Sequence, residues 1–212
     1  MGLKDPVSGL LHLIGAALAI PATILLIIFG SDSAWKIVSF SVYGLCLFLL
    51  FTFSTLYHWL PQRCSGKHQV FRKLDHLAIY ALIAGSYTPF CLVTLRGPWG
   101  WTIFGLTWGL AIIGMTIQSI FINAPRWLTT SIYVLMGWMV VIAIKPIMTL
   151  LPIKGLILLI AGGVVYSIGG VVYTIKKPNF HKFFNYHDLW HVFVLFGAFF
   201  HFLALLLVVS QQ

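Results

Sequence analysis

The feature that most constrains this chain is a series of apolar stretches, each about 20 residues long and separated by short charged or Pro/Gly-rich junctions. A stretch of that length crosses a hydrocarbon core of roughly 30 Å. In lipid every backbone polar group has to be satisfied within the protein, and a lone apolar segment does this as a helix. The junctions predict spans at Val7 to Phe29, Ile37 to Leu60, Leu74 to Leu95, Trp99 to Ile122, Trp127 to Ile144, Gly155 to Ile175 and His187 to Val209. The expected fold is an all-α membrane protein, a seven-transmembrane helix bundle forming one domain over residues 1–212. Composition agrees, because 60% hydrophobic and 8% charged residues leave too few charges for a water-facing surface.

Charge orients the bundle. With seven spans, Lys4, Arg63, Lys67, Arg72, Lys73, Arg126, Lys176, Lys177 and Lys182 share one side, and Lys36, Arg96, Lys145 and Lys154 share the other. Nine against four places the N-terminus in the cytoplasm and the C-terminus outside by the positive-inside bias. The net charge of +9 therefore reads as a topology signal, with no basic stripe that would engage nucleic acid. Ala17-Leu18-Ala19 resembles a signal-peptidase site only superficially, since His12 interrupts the apolar run before it and the stretch continues to Phe29. It is read as the first membrane helix.

Cys46, Cys64 and Cys91 lack paired metal spacing and read as structural thiols. The glycines Gly105, Gly109, Gly162, Gly163, Gly169 and Gly170 could mark a dimer face, and close packing within the bundle, the favoured reading, explains them as well. Trp59, Trp99, Trp101 and Trp127 fall at span ends and are expected to anchor the interface.

Ionisable groups inside apolar spans are costly and mark a cavity, a partner or a metal. Eight histidines against four acids, none of them glutamate, is thus an informative imbalance. His58 lies near the end of the second span, Asp75 and His76 are expected to open the third, and His187 and His191 open the seventh. In the derived topology all five meet at the cytoplasmic end. The separation of His187 and His191 puts both on one helical face, about 6 Å apart along the axis. Three neutral imidazoles with an open fourth position form a familiar catalytic zinc arrangement. Asp75 could hold or shuttle the proton of a zinc-bound water, and Ser54, one turn before His58, could orient the imidazole. The competing reading is interfacial histidines that hydrogen-bond backbone or lipid headgroups.

The remaining polar residues are read as background. His201 lies about 15 Å deeper than His191, too far to share an ion, and is expected to be a buried hydrogen-bonding or cavity residue. His12 is expected to pack near the site or support it from behind, His68 and His181 to be solvated, Asp188 to cap its helix, and Asp5 and Asp32 to be loop charges.

Ser54-x3-His58, Lys73-Leu74-Asp75, Gly85-Ser86-Tyr87-Thr88-Pro89 and His187-Asp188-Leu189-Trp190-His191 occur in this order. The ordered set resembles bacterial hemolysin III proteins, within the superfamily of progestin and adipoQ receptors that includes the adiponectin receptors, and more distantly alkaline ceramidases. The resemblance implies a seven-helix bundle with Zn2+ at the inner side, held by His58, His187 and His191, with Asp75 near the zinc-bound water and Ser54 close to the metal. His76 stands where the adiponectin receptors carry another residue type, so no role comes over for it.

The function expected first is a zinc-dependent hydrolase of a lipid amide or ester, with a membrane lipid as substrate, in a multi-pass protein of the bacterial plasma membrane. The alternatives are a non-catalytic lipid sensor or regulator with structural zinc, and a pore-forming hemolysin or channel. A soluble secreted toxin is disfavoured because the chain has no charged surface to present to water.

Overall fold

A computed structural model describes residues 5–61, 65–180 and 184–209. Lys4, Arg63, Cys64, His181 and Lys182 lie outside the described residues. Seven helices are long and apolar enough to cross a membrane: Pro6–Phe29, Ala34–Trp59, Gly66–Leu95, Gly97–Ile120, Arg126–Leu150, Ile153–Ile175 and Tyr186–Val208. We refer to them as the first to seventh spans. Their order in the chain is that expected from sequence, and the chain is an all-helical bundle among the described residues.

Two boundaries differ from expectation, each for a physical reason. The third helix begins at Ser65, nine residues before the expected Leu74. Lys67, Gln69, Arg72 and Lys73 are good helix formers, and charge ends a membrane span without ending the helix that carries it. Asp75 and His76 consequently sit in the third turn of a helix and do not open it. The fifth span runs on to Leu150, past Lys145 and Pro146, whereas the sequence predicts a stop at Ile144. It has three pieces: an α-helix over Arg126–Gly137, a 3-10 stretch over Trp138–Ala143 and a short helix over Ile144–Leu150. Pro146 falls in the first turn of the last piece, where backbone N–H groups have no intrahelical acceptor and a missing one costs nothing.

The Gly85–Pro89 run holds the middle of the bundle together. Gly85 lets the third helix close on Cys46 of the second, since a Cβ at this position would stand only 2.9 Å from the cysteine side chain. The Tyr87 hydroxyl donates to Gly137 O at 2.6 Å and accepts from Val140 N at 2.8 Å, so it bridges the break in the fifth span. Thr88 donates to Ala84 O and accepts from the Trp108 indole at 3.0 Å. Past Pro89 the third span loosens into a π-helical stretch, Phe90–Leu95, closed by Arg96 N donating to Cys91 O. Gly97, at φ +70, makes the turn into the fourth span in a conformation that a side chain disfavours.

The expected bundle-packing glycines divide. Gly162 meets His201, Gly169 meets Phe193 and Trp190, and Gly170 meets Thr130, so the sixth-span glycines do serve packing. Gly105 and Gly109 face open space, and the packing expectation fails for them because that face of the fourth span is turned outward. Cys46 and Cys91 are buried free thiols. Asp32, a loop charge as expected, pairs with the buried Lys36 ammonium at 3.0 Å. Trp99, Trp101 and Trp127 are exposed at span ends. Gly169→Leu is expected to lower stability by about 1–3 kcal/mol through overpacking against Phe193, read as a lower unfolding midpoint in detergent. The same change at Gly105 should shift stability by less than about 0.5 kcal/mol.

Candidate metal centre

The first span starts where the second ends. Asp5 N donates to His58 O at 3.0 Å, the Trp59 indole donates to Pro6 O, and the Thr55 hydroxyl reaches Gly9 O at 3.3 Å. Gly9 has no side chain because the Trp59 ring occupies that position. This seam brings the N-terminal turn of the chain against His58, and the Asp5 carboxylate lies 3.1 Å from His58 Nδ1.

The seventh helix starts with a reciprocal cap. The Asn185 side chain accepts from His187 N at 2.8 Å, and Asp188 Oδ2 accepts from Asn185 N at 3.0 Å. Asp188 thus caps its helix as expected, and its other oxygen accepts from Ser8 Oγ at 2.6 Å. Since that bond uses the hydroxyl proton, a Ser8 lone pair faces His187 Nδ1 at 3.3 Å. His191 Nδ1 lies 2.8 Å from His187 O, one turn earlier in the same helix.

Every Nδ1 of the three histidines therefore faces an acceptor: a carboxylate, a hydroxyl oxygen and a carbonyl. The acceptors assign the protons to Nδ1 and leave each Nε2 with a lone pair, which is the tautomer a metal ligand needs. His58, His187 and His191 each offer one ligand nitrogen, all within 4.8 Å of one another. Two nitrogens bound at about 2.0–2.1 Å to one tetrahedral ion stand about 3.4 Å apart, so modest side-chain rotations complete the set. His58 and His191 are buried at 1% and 2% exposure, and His187 is half-buried. These three residues could hold a metal ion, and they are the three that the sequence singles out as ligands.

The other residues singled out from sequence take different places. Ser54, 1% exposed, puts its hydroxyl 3.5 Å from His191 Nε2, beside the ligand atom. Asp75 lines the cavity in front of the histidines but is not a member of the ligand cluster. His76 Nδ1 donates to Arg72 O at 2.7 Å. His201 lines the deep part of the cavity, its ring edge-on to Tyr166, as expected from its depth. His68 is not simply solvated: the extended third helix brings it onto the cavity wall, half-buried, with its ring 5.0 Å from Tyr57. His12 is 3% exposed, its ring 4.1 Å from that of His191.

Sequence reasoning missed Asp5 and Ser8. Asp5 lies outside the helices as expected of a loop charge, and it is also the acceptor that sets the His58 tautomer. A signal was available: Ser8-x3-His12 in the first span repeats the Ser54-x3-His58 spacing of the second. In antiparallel helices this pairing sets Ser8 near the level of His58 and His12 near the level of Ser54.

The histidines stand at the head of a cavity of about 1220 Å3, large against the roughly 300–1,000 Å3 of pockets for drug-sized ligands. Asp5, Ser8, Arg72, Asp75, Arg126 and Lys176 line its polar end. Leu82, Ile83, Phe90, Leu95, Ile147 and Leu156 line its apolar depth. The space suits an amphiphile with its head at the histidines and its chain inside the bundle.

Known proteins resemble the chain over most of its length. Residues 3–202 match the family model described as Haemolysin-III related. The chain is 44% identical to Hemolysin-3 of Bacillus cereus over 197 residues, covering 92% of this chain and 87% of that protein. It is 40% identical to the Hemolysin-3 homolog of Bacillus subtilis (strain 168), covering 92% and 89% respectively. A weaker similarity, 27% over 178 residues, links it to the monocyte to macrophage differentiation factor of Homo sapiens, covering 82% of this chain and 72% of that one.

Asp5→Ala should lower divalent-metal affinity about 10- to 100-fold by releasing the His58 ring, measured by competition with a chromophoric chelator. His191→Ala should abolish stoichiometric binding altogether.

Proposed function

Because the chain belongs to the haemolysin-III-related family, we propose that this multi-pass membrane protein is a zinc-dependent hydrolase of a lipid amide or ester. The observation that carries the reading is the convergence of three ligand nitrogens, each with its Nδ1 engaged, at the polar head of a cavity with an apolar depth. Three histidines with an open fourth position suit Zn2+, which when bound lowers the pKa of a coordinated water to about 7 and polarises a carbonyl.

The protein's own residues supply the rest. The apolar depth of the cavity receives the acyl chain and sets its carbonyl at the polar end, where the hydrolytic water enters. Asp75, on the cavity wall with its side chain 16% exposed, accepts or relays the proton. Ser54, beside His191 Nε2, keeps that ring aligned. The bundle lies in the bacterial plasma membrane with its histidine end toward the cytoplasm, on the charge asymmetry of the chain. The membrane itself then provides the substrate, which reaches the cavity without crossing water.

A second reading is favoured by where the ligands come from. His58 belongs to the second span and His187 and His191 to the seventh, so a metal there would pin two helices and make their packing respond to a lipid in the cavity. A lipid sensor with a structural metal follows. Asp75→Asn separates the two. In the hydrolase it lowers fatty-acid release by about 10^2–10^4-fold while zinc content stays at the wild-type level. A structural metal site tolerates the change. Purified zinc-loaded protein that releases no fatty acid from ceramide, acyl amides or phospholipids would overturn the hydrolase reading.

A further inference from the structure

His12 differs from every histidine of the candidate metal centre. It is 3% exposed, yet among the described residues neither of its ring nitrogens has a hydrogen-bond partner. Its neighbours are anchored: His58 on Asp5, His187 on Ser8 and His191 on the His187 carbonyl. The His12 ring stands edge-on to Phe51 at 4.9 Å and lies 4.1 Å from the His191 ring, and it lines the cavity. Packing alone would be served as well by leucine or phenylalanine, without the desolvation penalty of an unpaired polar ring. An imidazole kept in such a place calls for a partner that the described residues do not supply.

Its level in the bundle says where that partner sits. Ser8, one turn before His12 on the same helical face, is spent on Asp188 and His187. His12 is therefore one turn deeper, at the side of the centre that faces the apolar chamber. Ser54 marks the same depth on the opposing helix, 3.5 Å from His191 Nε2. A lipid whose chain fills the chamber would bring its first polar atoms, the carbonyl or carboxylate oxygen next to the chain, to this level. A neutral imidazole carries one N–H donor for such an oxygen.

We propose that His12 is a substrate-binding residue that donates a hydrogen bond to the carbonyl or carboxylate oxygen of an acyl lipid held in the cavity. The inference rests on the lipid-hydrolase reading for the nature of the occupant, but it concerns a residue outside the ligand cluster. It assigns the first span a direct part in recognition, beyond the anchoring done by Asp5 and Ser8. It also accounts for the pair of Ser-x3-His spacings: in the second span the histidine is a ligand candidate and the serine faces the chamber, while in the antiparallel first span those levels are reversed.

The test is calorimetric titration of dodecanoate into purified protein in non-ionic detergent, comparing wild type with His12→Phe and His12→Gln. Phenylalanine keeps a flat aromatic ring and removes the donor, so binding should weaken about tenfold or more. Glutamine keeps an N–H donor and should stay within about threefold of wild type. Both variants should retain the wild-type zinc content, and His12→Phe without ligand should unfold at no lower temperature than wild type. His12→Leu repeats the comparison with a smaller side chain. Unchanged dodecanoate affinity in His12→Phe and His12→Leu at full zinc content would overturn the proposal, and so would loss of zinc in both, which would make His12 part of the metal centre itself. Titrations on zinc-loaded and on chelator-treated protein keep the two readings apart. A wild type that holds no zinc sinks the hydrolase reading, while the dodecanoate ratio between wild type and His12→Phe still decides the role of His12.

Discussion

The hydrogen bonds behind the histidines, on their Nδ1 sides, are what the rest of the site depends on. An imidazole inside an apolar bundle is free to present either nitrogen, and a ring with neither engaged carries the cost of an unpaired buried group. Asp5, Ser8 and the His187 carbonyl each take one Nδ1, which leaves a lone pair on each Nε2, and one ligand nitrogen from each ring lies within 4.8 Å of the others. Two of these three acceptors come from the first turns of the chain. The first span is for this reason more than a membrane anchor: its junction with the second, closed by the Asp5 backbone bond to His58 O, determines the orientation of a ligand candidate. The Asp188 cap does the same for the seventh span, since one carboxylate both ends the helix and holds Ser8 against His187.

Space in front of the histidines is created by irregularity in two other helices. The fifth span changes from α to 3-10 geometry at Trp138, and the third loosens to a π-stretch after Pro89. Breaks of this kind expose carbonyl and amide groups that lipid cannot satisfy, so they are tolerated only where protein groups or a polar cavity supply partners. The Tyr87 hydroxyl does so on the fifth span by bonding Gly137 O and Val140 N. The Trp138 indole adds a bond to Ser167 Oγ on the sixth. Residues of the broken segments, including Gly137, Trp138, Val140, Phe90 and Leu95, line the cavity. The irregular backbone and the lipid-sized space are one structural feature.

The parts of the site that are legible in the sequence share a local signature. His187 and His191 are a turn apart on one helix, and Ser54 and His58 likewise, so helical periodicity alone puts each pair on one face. Topology then carries both pairs to the same end of the bundle. For Asp75 the sequence predicts the correct end but the wrong setting, because a run of charges looks like the start of the third helix when that helix begins at Ser65. The same misleading signal makes His68 look like a solvated loop residue when it is part of the cavity wall. Asp5 escapes notice because an acid just before a first helix looks like an ordinary loop charge. It makes no side-chain cap bond there and turns to His58, across a separation of 53 residues.

What the sequence by itself determined is the number of spans, their order, the charge asymmetry that orients them and the three histidines on which a metal reading rests. These follow from segment length, residue type and helical spacing, which are local quantities that lipid enforces one helix at a time. Only the tertiary structure decided which acceptor each histidine Nδ1 meets, that Asp5 and Ser8 are two of these acceptors, and that His12 is buried beside them with no hydrogen-bond partner among the described residues. It also decided that the chamber lies in front of the histidines. These depend on how deeply one helix sits against another and on which face it turns. Such depths are settled where Gly9 admits Trp59 and Gly85 admits Cys46, in contacts between segments that the linear pattern does not pair.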